Sequence, residues 1–196
     1  MDLETRIPVR VDGKDTYNRI VNTAKKLFAK KGYHGTSINT IIATSKIATG
    51  TFYQYFHSKK ELYYYLVNGY RQRIMEVIHN NIKDLTNRYD IEYYGIKAYL
   101  DFITEDHLAY QIIWELLFVD PKDFFAYYEN FSKSYTKQLL NCGEIKEDID
   151  CKVLSYVLIG ISNFVGIEII SDKKERKPEG YYISAIMKIL KDGIFK

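Results

Sequence analysis

The sequence predicts an all-α chain of about nine helices. Apolar residues recur at i, i+3 and i+4 through most of its length, as in Ile38, Ile41 and Ile42, or Leu62, Leu66 and Tyr70. Proline is rare, at 3 in 196 residues, so little interrupts that periodicity. No stretch alternates β-branched and polar residues as a half-buried strand would. Hydrophobic content of 46% against 27% charged allows a real core and excludes a disordered chain.

Residues 1–14, with Pro8 and Gly13, lack helical periodicity and read as an arm. Arg6, Arg10 and Lys14 could reach phosphates or a minor groove, or the segment is a solvated tail. A first helix is expected from Asp15 or Thr16, burying Ile20, Ala24, Leu27 and Phe28 and stopping at Gly32. Thr36 or Ser37 caps the second, which turns Ile38, Ile41 and Ile42 inward and ends at Ser45-Lys46. The third runs from about Thr49 to Phe56, with Phe52 and Phe56 inward. Ser58 and Glu61 form a capping box that opens a fourth helix, Lys59 to about Tyr89. Helices follow at 91–104, 106–119 and Pro121 to about Cys142. An acidic loop then leads to the most apolar stretch, Val153–Ile170, and a polar loop to a last helix, Tyr181–Phe195. Val153–Ile167 is uncharged over 15 residues, fewer than the roughly 20 of a membrane span, so a buried helix and no membrane partner are expected.

The stretch from Thr36 to Leu62 has the parts of a helix-turn-helix, in which the second helix enters the major groove. Thr49, Thr51, Tyr53, Gln54 and Tyr55 are left for its outer face, all hydrogen-bonding and none charged. Asn39 on the preceding helix also points outward. Gln54 can pair with an adenine edge and Thr51 can meet a thymine methyl. Gly50 lets the main chain approach DNA. Ser37, Tyr53, Tyr55, His57 and Lys59 suit phosphates, which set register. Charge agrees: residues 1–60 hold 11 Lys+Arg and 4 Asp+Glu, a net +7, whereas 61–196 carry −4.

Thr36, Ile41, Gly50, Thr51, Phe52, Tyr53, Tyr55, Phe56, Lys59 and Leu62, with Ala24, Phe28, Gly32 and Tyr33 upstream, make this part similar to the N-terminal domain of the tetracycline-repressor (TetR) family. The resemblance covers about residues 15–65. Two positions depart from the pattern: Lys46 stands where the family usually has Gly, and Ala48 where it usually has a Ser cap. The turn should be less stable for it, by roughly 1 kcal/mol for the cap.

The resemblance implies a DNA-binding domain at 15–58 and a ligand-binding and dimerisation domain at 59–196. It implies a homodimer held by the last two helices, through Leu154, Val157, Leu158, Ile161, Val165, Ile169, Tyr182, Ile186 and Ile189. It also implies an effector pocket in the middle helices, for which Tyr99, Phe102, Tyr110, Trp114, Phe118, Phe124, Tyr127, Tyr128 and Phe131 are available. The aromatic content suits an elongated apolar effector with a polar end, a fatty acyl-CoA first and a planar hydrophobic drug second. The expected function is a ligand-responsive homodimeric repressor that binds palindromic double-stranded DNA and is released by that effector.

Against this stand a helical sensor acting through a protein partner and a helical enzyme. No catalytic motif supports the enzyme, and Glu76-x-x-His79 lacks the second pair a di-iron site needs. No cofactor, metal or catalytic residue is expected. Cys142 and Cys151 have no metal spacing and read as reduced thiols, with a disulfide the alternative. The N-terminal residues lack the apolar core of a secretory leader, so a cytoplasmic location is expected.

Overall fold

The computed structural model describes residues 11–171, 177–178 and 180–194. Arg6 and Arg10, expected in an N-terminal arm, lie outside them. The described residues form helices α1 (Val11–Lys31), α2 (Ile38–Ser45), α3 (Thr49–Tyr55), α4 (Lys59–Ile82), α5 (Arg88–Glu105), α6 (His107–Val119), α7 (Pro121–Cys142), α8 (Cys151–Ser171) and α9 (Tyr181–Ile194). No strand occurs among them, as the periodicity and the lack of alternation require.

Two boundaries differ from the sequence reading. α1 begins at Val11, not at Asp15 or Thr16, so Lys14 belongs to a helix and not to an arm. Its first turn has tertiary partners: the Tyr55 hydroxyl donates to the Gly13 carbonyl at 3.4 Å, and Tyr17 stacks on Phe56 at 5.4 Å. Packing of this kind outweighs the helix cost of Gly13. α4 ends at Ile82, a turn or two short of the expected Tyr89. Asn87 stops the run by capping a new helix, its side-chain oxygen accepting from Asp90 N–H at 2.8 Å. The Asn87-x-x-Asp90 spacing is a capping signature and was legible in the sequence.

The chain forms two compact units. One takes in the chain up to Gln72 together with Leu108–Asp120; the other takes in Arg73–His107 and the chain from Pro121 onward. The first unit groups α6 and the first turns of α4 with α1 and the loop that follows it, through Tyr63 against Phe28 and Tyr33 and Glu115 against Tyr33. In the first unit the core includes Ile20, Phe28, Ile41, Phe52, Phe56 and Tyr63, all essentially inaccessible. The Tyr63 hydroxyl donates to the Ile112 carbonyl at 2.7 Å, joining α4 to α6.

In the second unit α8 packs against α5 and α7, and α5 packs against α9. Ile96, Leu100, Leu139, Leu154, Leu158 and Ile186 share one cluster there. Taken as a whole, the 21-residue α8 reaches the length and apolarity of a membrane-crossing helix, which a count of its uncharged residues alone understates. About 33% of that apolar stretch is buried, on the side that meets α5 and α7.

Candidate nucleic-acid interface

The helix-turn-helix is built from local hydrogen bonds. Ser37, not Thr36, caps α2: its oxygen accepts from Thr40 N–H at 3.1 Å. Thr36 is buried and donates to Gly32 O at 2.8 Å, tying the loop to the end of α1. Ser45 is buried and donates to Ile41 O at 2.6 Å. Lys46 then reverses the chain in the left-handed region, at φ 54 and ψ 51. Its N–H returns to Ala43 O and that of Ile47 to Ile42 O, both at 3.3 Å, which is the bond pattern of a Schellman cap. Ala48 precedes α3 without a side-chain cap. Glu61 reaches back at 2.6 Å to the N–H of His57, and Ser58 Oγ accepts from Glu61 N–H at 3.0 Å, so the expected box forms with its return bond one residue earlier.

This scaffold leaves Ser37, Asn39, Thr49, Gly50, Tyr53, Gln54 and His57 exposed. Thr51 is half-buried. A methyl group added at Gly50 would meet no atom of the chain within 4 Å. Two expected contact residues are turned elsewhere. Tyr55 lies edge-on to Tyr17 at 5.7 Å and bonds α1, because i, i+3 spacing puts it beside buried Phe52. Lys59 donates its ammonium to Tyr33 O at 2.7 Å and Thr36 O at 2.8 Å, 4.2 Å from the centre of the Tyr33 ring. Burial holds its pKa below the ordinary lysine value, opposed by the Glu115 carboxylate. It is a clamp on the α1–α2 turn.

Glu115, on α6, escaped the sequence reading. Its carboxylate accepts from Tyr33 N–H and lies so close to Gly32 that a methyl there would come within 2.6 Å of Oε1. Gly32 is also in the left-handed region, at φ 73. A single acidic residue in a mainly apolar helix, His107–Val119, was the available signal.

The nine aromatics expected around an effector divide between the units. In the first, Tyr110 is buried 5.9 Å from Trp114, whereas Phe118 is 76% exposed and lines no interior. In the second, Phe102 is buried with Arg73 over its ring at 5.2 Å, and buried Phe124 packs on Tyr128 at 4.9 Å. Tyr127 lies edge-on to Tyr128, and Phe131 stacks on Tyr135 at 5.7 Å. Tyr99 and Tyr128 both donate to Asn163 Oδ1, at 2.7 and 3.2 Å, and Asn163 Nδ2 donates to Ile159 O at 2.8 Å. Ser132 of α7 and Ser155 of α8 share a 2.6 Å bond.

A buried charge cluster, which the sequence reading did not find, occupies the same unit. Arg88 Nε donates to Glu92 at 2.7 Å and Tyr135 donates to the other carboxylate oxygen. Glu144 accepts the Arg88 N–H at 2.9 Å. Desolvation pushes the Glu92 carboxyl up, with Arg88 and Tyr135 opposing. Because every member has a partner, the cluster is a structural tie between α5 and α7. Glu76 and His79 are both exposed, and no metal-sized acidic, His or Cys group occurs among the described residues. Cys142 and Cys151 are free thiols.

Three residues expected to face a second subunit are committed inside this one. Leu154, Leu158 and Ile186 are at most 5% exposed, taken up by α5, α7 and each other. Ile161, Val165, Ile169 and Tyr182 are half-buried, and Val157 and Ile189 are exposed. The outward face of α8 is Val153, Tyr156, Val157, Phe164 and Ile167, in helical register, and that of α9 includes Tyr181 and Ile189.

Residues 20–66 match the model of a family described as bacterial regulatory proteins, tetR family. The Transposon Tn10 TetC protein of Escherichia coli is 33% identical over 96 residues, which are 48% of this chain and 47% of that protein. An HTH-type transcriptional regulator of Staphylococcus aureus (strain MRSA252) is 31% identical over 104 residues, 52% of this chain and 54% of that one. The chain thus spans about half the length of the curated relatives it matches. A TetR family transcriptional regulator from Chloroflexus aurantiacus J-10-FL shares the fold over 93% of this chain and 94% of its own, with a TM-score of 0.74 at 20% identity.

Proposed function

We propose, from the match of its residues 20–66 and from its fold, that the chain is a TetR-family protein acting as a homodimeric, ligand-responsive transcriptional repressor. The observation that carries the reading is α3, which with its C-cap residue buries Phe52 and Phe56 while leaving Thr49, Gly50, Tyr53 and Gln54 exposed and uncharged. Such a face suits base edges and methyl groups. Thr51, Asn39, Ser37 and His57 complete the contact set, with the hydroxyls and imidazole directed at phosphates. The bonds made by Tyr55 and Lys59 favour support of the head over direct contact.

Dimerisation is proposed through the apolar faces that α8 and α9 leave open, Val153, Tyr156, Val157, Phe164, Ile167 and Ile189. Two-fold symmetry then calls for a palindrome with half-sites roughly 34–36 Å apart. The effector is proposed to be an elongated apolar molecule with a polar end, a fatty acyl-CoA among the candidates. Tyr99, Tyr128 and Asn163 are the groups in the second unit best suited to that end. A gel shift with DNA upstream of the protein's own gene, with and without palmitoyl-CoA and unrelated apolar compounds, tests the DNA-binding and effector parts. Gln54→Ala should cost about 1–3 kcal/mol at one base pair and leave other duplexes unaffected. Equal loss on every duplex would remove Gln54 from the reading face.

A further inference from the structure

Lys46 is the one residue other than glycine with positive φ among those described. Two backbone bonds of the Schellman cap impose this conformation, so it is not a free choice of the side chain. Glycine adopts it without the steric cost that a Cβ brings. A lysine there gains nothing inside the molecule: the side chain is exposed and makes no hydrogen bond, ion pair or ring contact among the described residues. Strain held at an exposed position, with no internal return, points to a contact made with something else.

The electrostatics of the neighbourhood say what. From Thr36 to Ser58 the chain contains one Lys or Arg, and it is Lys46. The exposed face of α3 is uncharged, and the nearby Lys59 ammonium is held by two carbonyls. A head that approaches a polyanion with its turn and α3 leading would otherwise present no free cation along that stretch.

We propose that the Lys46 ammonium binds a DNA phosphate, which accounts for a lysine rather than a glycine at the strained turn. The inference rests on the DNA-binding reading above. A phosphate contact gives affinity without sequence preference and releases a counterion. The test compares the wild type with K46G, K46Q and K46R on the upstream fragment and on an unrelated duplex of equal length. K46G should melt at a higher temperature than the wild type, since the strain is gone. It should nevertheless bind both duplexes roughly ten- to a hundredfold more weakly at about 0.1 M salt. The slope of log affinity against log salt should become shallower by about 0.9 for each head engaged. K46Q should share that slope without the rise in melting temperature, and K46R should restore the wild-type slope. A wild type that binds neither duplex defeats the DNA-binding reading itself. A wild type that binds, alongside a K46G slope that is unchanged or a K46R slope that is not restored, defeats the Lys46 assignment alone.

Discussion

Lys59 shows how a charge can be diverted from the partner its place in the chain suggests. Beside a helix N-terminus it reads as an anion contact, yet its ammonium bridges the Tyr33 and Thr36 carbonyls across the α1–α2 turn. Hydrogen bonds from charged donors contribute about 1.5–3 kcal/mol each where solvent is excluded, and less at a half-buried site such as this one. Lys59→Ala should therefore lower the stability of the head by about 1–2 kcal/mol, measured by denaturant unfolding. The salt dependence of DNA binding should keep its wild-type slope. Loss of slope without loss of stability would return Lys59 to the phosphates. The sequence offered residue types and spacing but not the position of the carbonyls, which come from 26 and 23 residues earlier. Glu115 was hidden for the same reason, its partner Tyr33 being 82 residues away.

Among the helices, legibility followed how local the determining interaction was. α2, α3 and the start of α4 were readable because their caps and breaks lie within a few residues: Ser37 to Thr40, Lys46, Ser58 to Glu61. α7 was bounded by Pro121 and Gly143. The start of α1 was not readable, since it depends on Tyr17 and Tyr55 meeting across the head. α8 was recognisable as an apolar helix, but an almost uniformly apolar sequence does not say which side meets its own core. The structure divides it: Leu154, Ser155, Leu158 and Asn163 face inward, and Val153, Tyr156, Val157, Phe164 and Ile167 face out. The outward set is an apolar patch of the sort that marks an interaction site. Phe164→Glu, at a residue 67% exposed, should leave the unfolding transition of the protomer nearly unchanged. It should convert the proposed dimer to a monomer in sedimentation at micromolar concentration, because the substitution would put a carboxylate into each copy of the proposed two-fold interface. A variant that still sediments as a dimer would move the interface off α8.

For the molecule as a whole, charge is nearly balanced at +3 and gives little leverage on stability near neutral pH. Tyrosine gives more, with 19 in the chain. Tyr17, Tyr63 and Tyr110 are at most 7% exposed. Burial is the largest cause that holds each of their hydroxyls protonated well above the ordinary phenol value of 10.0. Tyr135, bonded to Glu92, is displaced in the same direction. The sign follows from proton binding. Above pH 10.0 the unfolded chain releases these protons and the folded chain retains them, so stability is intact below that pH and falls as pH rises beyond it. One pH unit above, each phenol of the first three removes roughly 1.4 kcal/mol, about 4 kcal/mol together. That is a large fraction of the 5–15 kcal/mol typical of a folded domain. Alkaline titration followed by phenolate absorbance should therefore contain a late, cooperative phase. It should coincide with loss of helical circular dichroism and with loss of DNA binding, since all three residues belong to the unit that contains α3. Ionisation of every tyrosine in a single smooth step, with helicity preserved throughout, would mean that these rings are not sealed in the core as described.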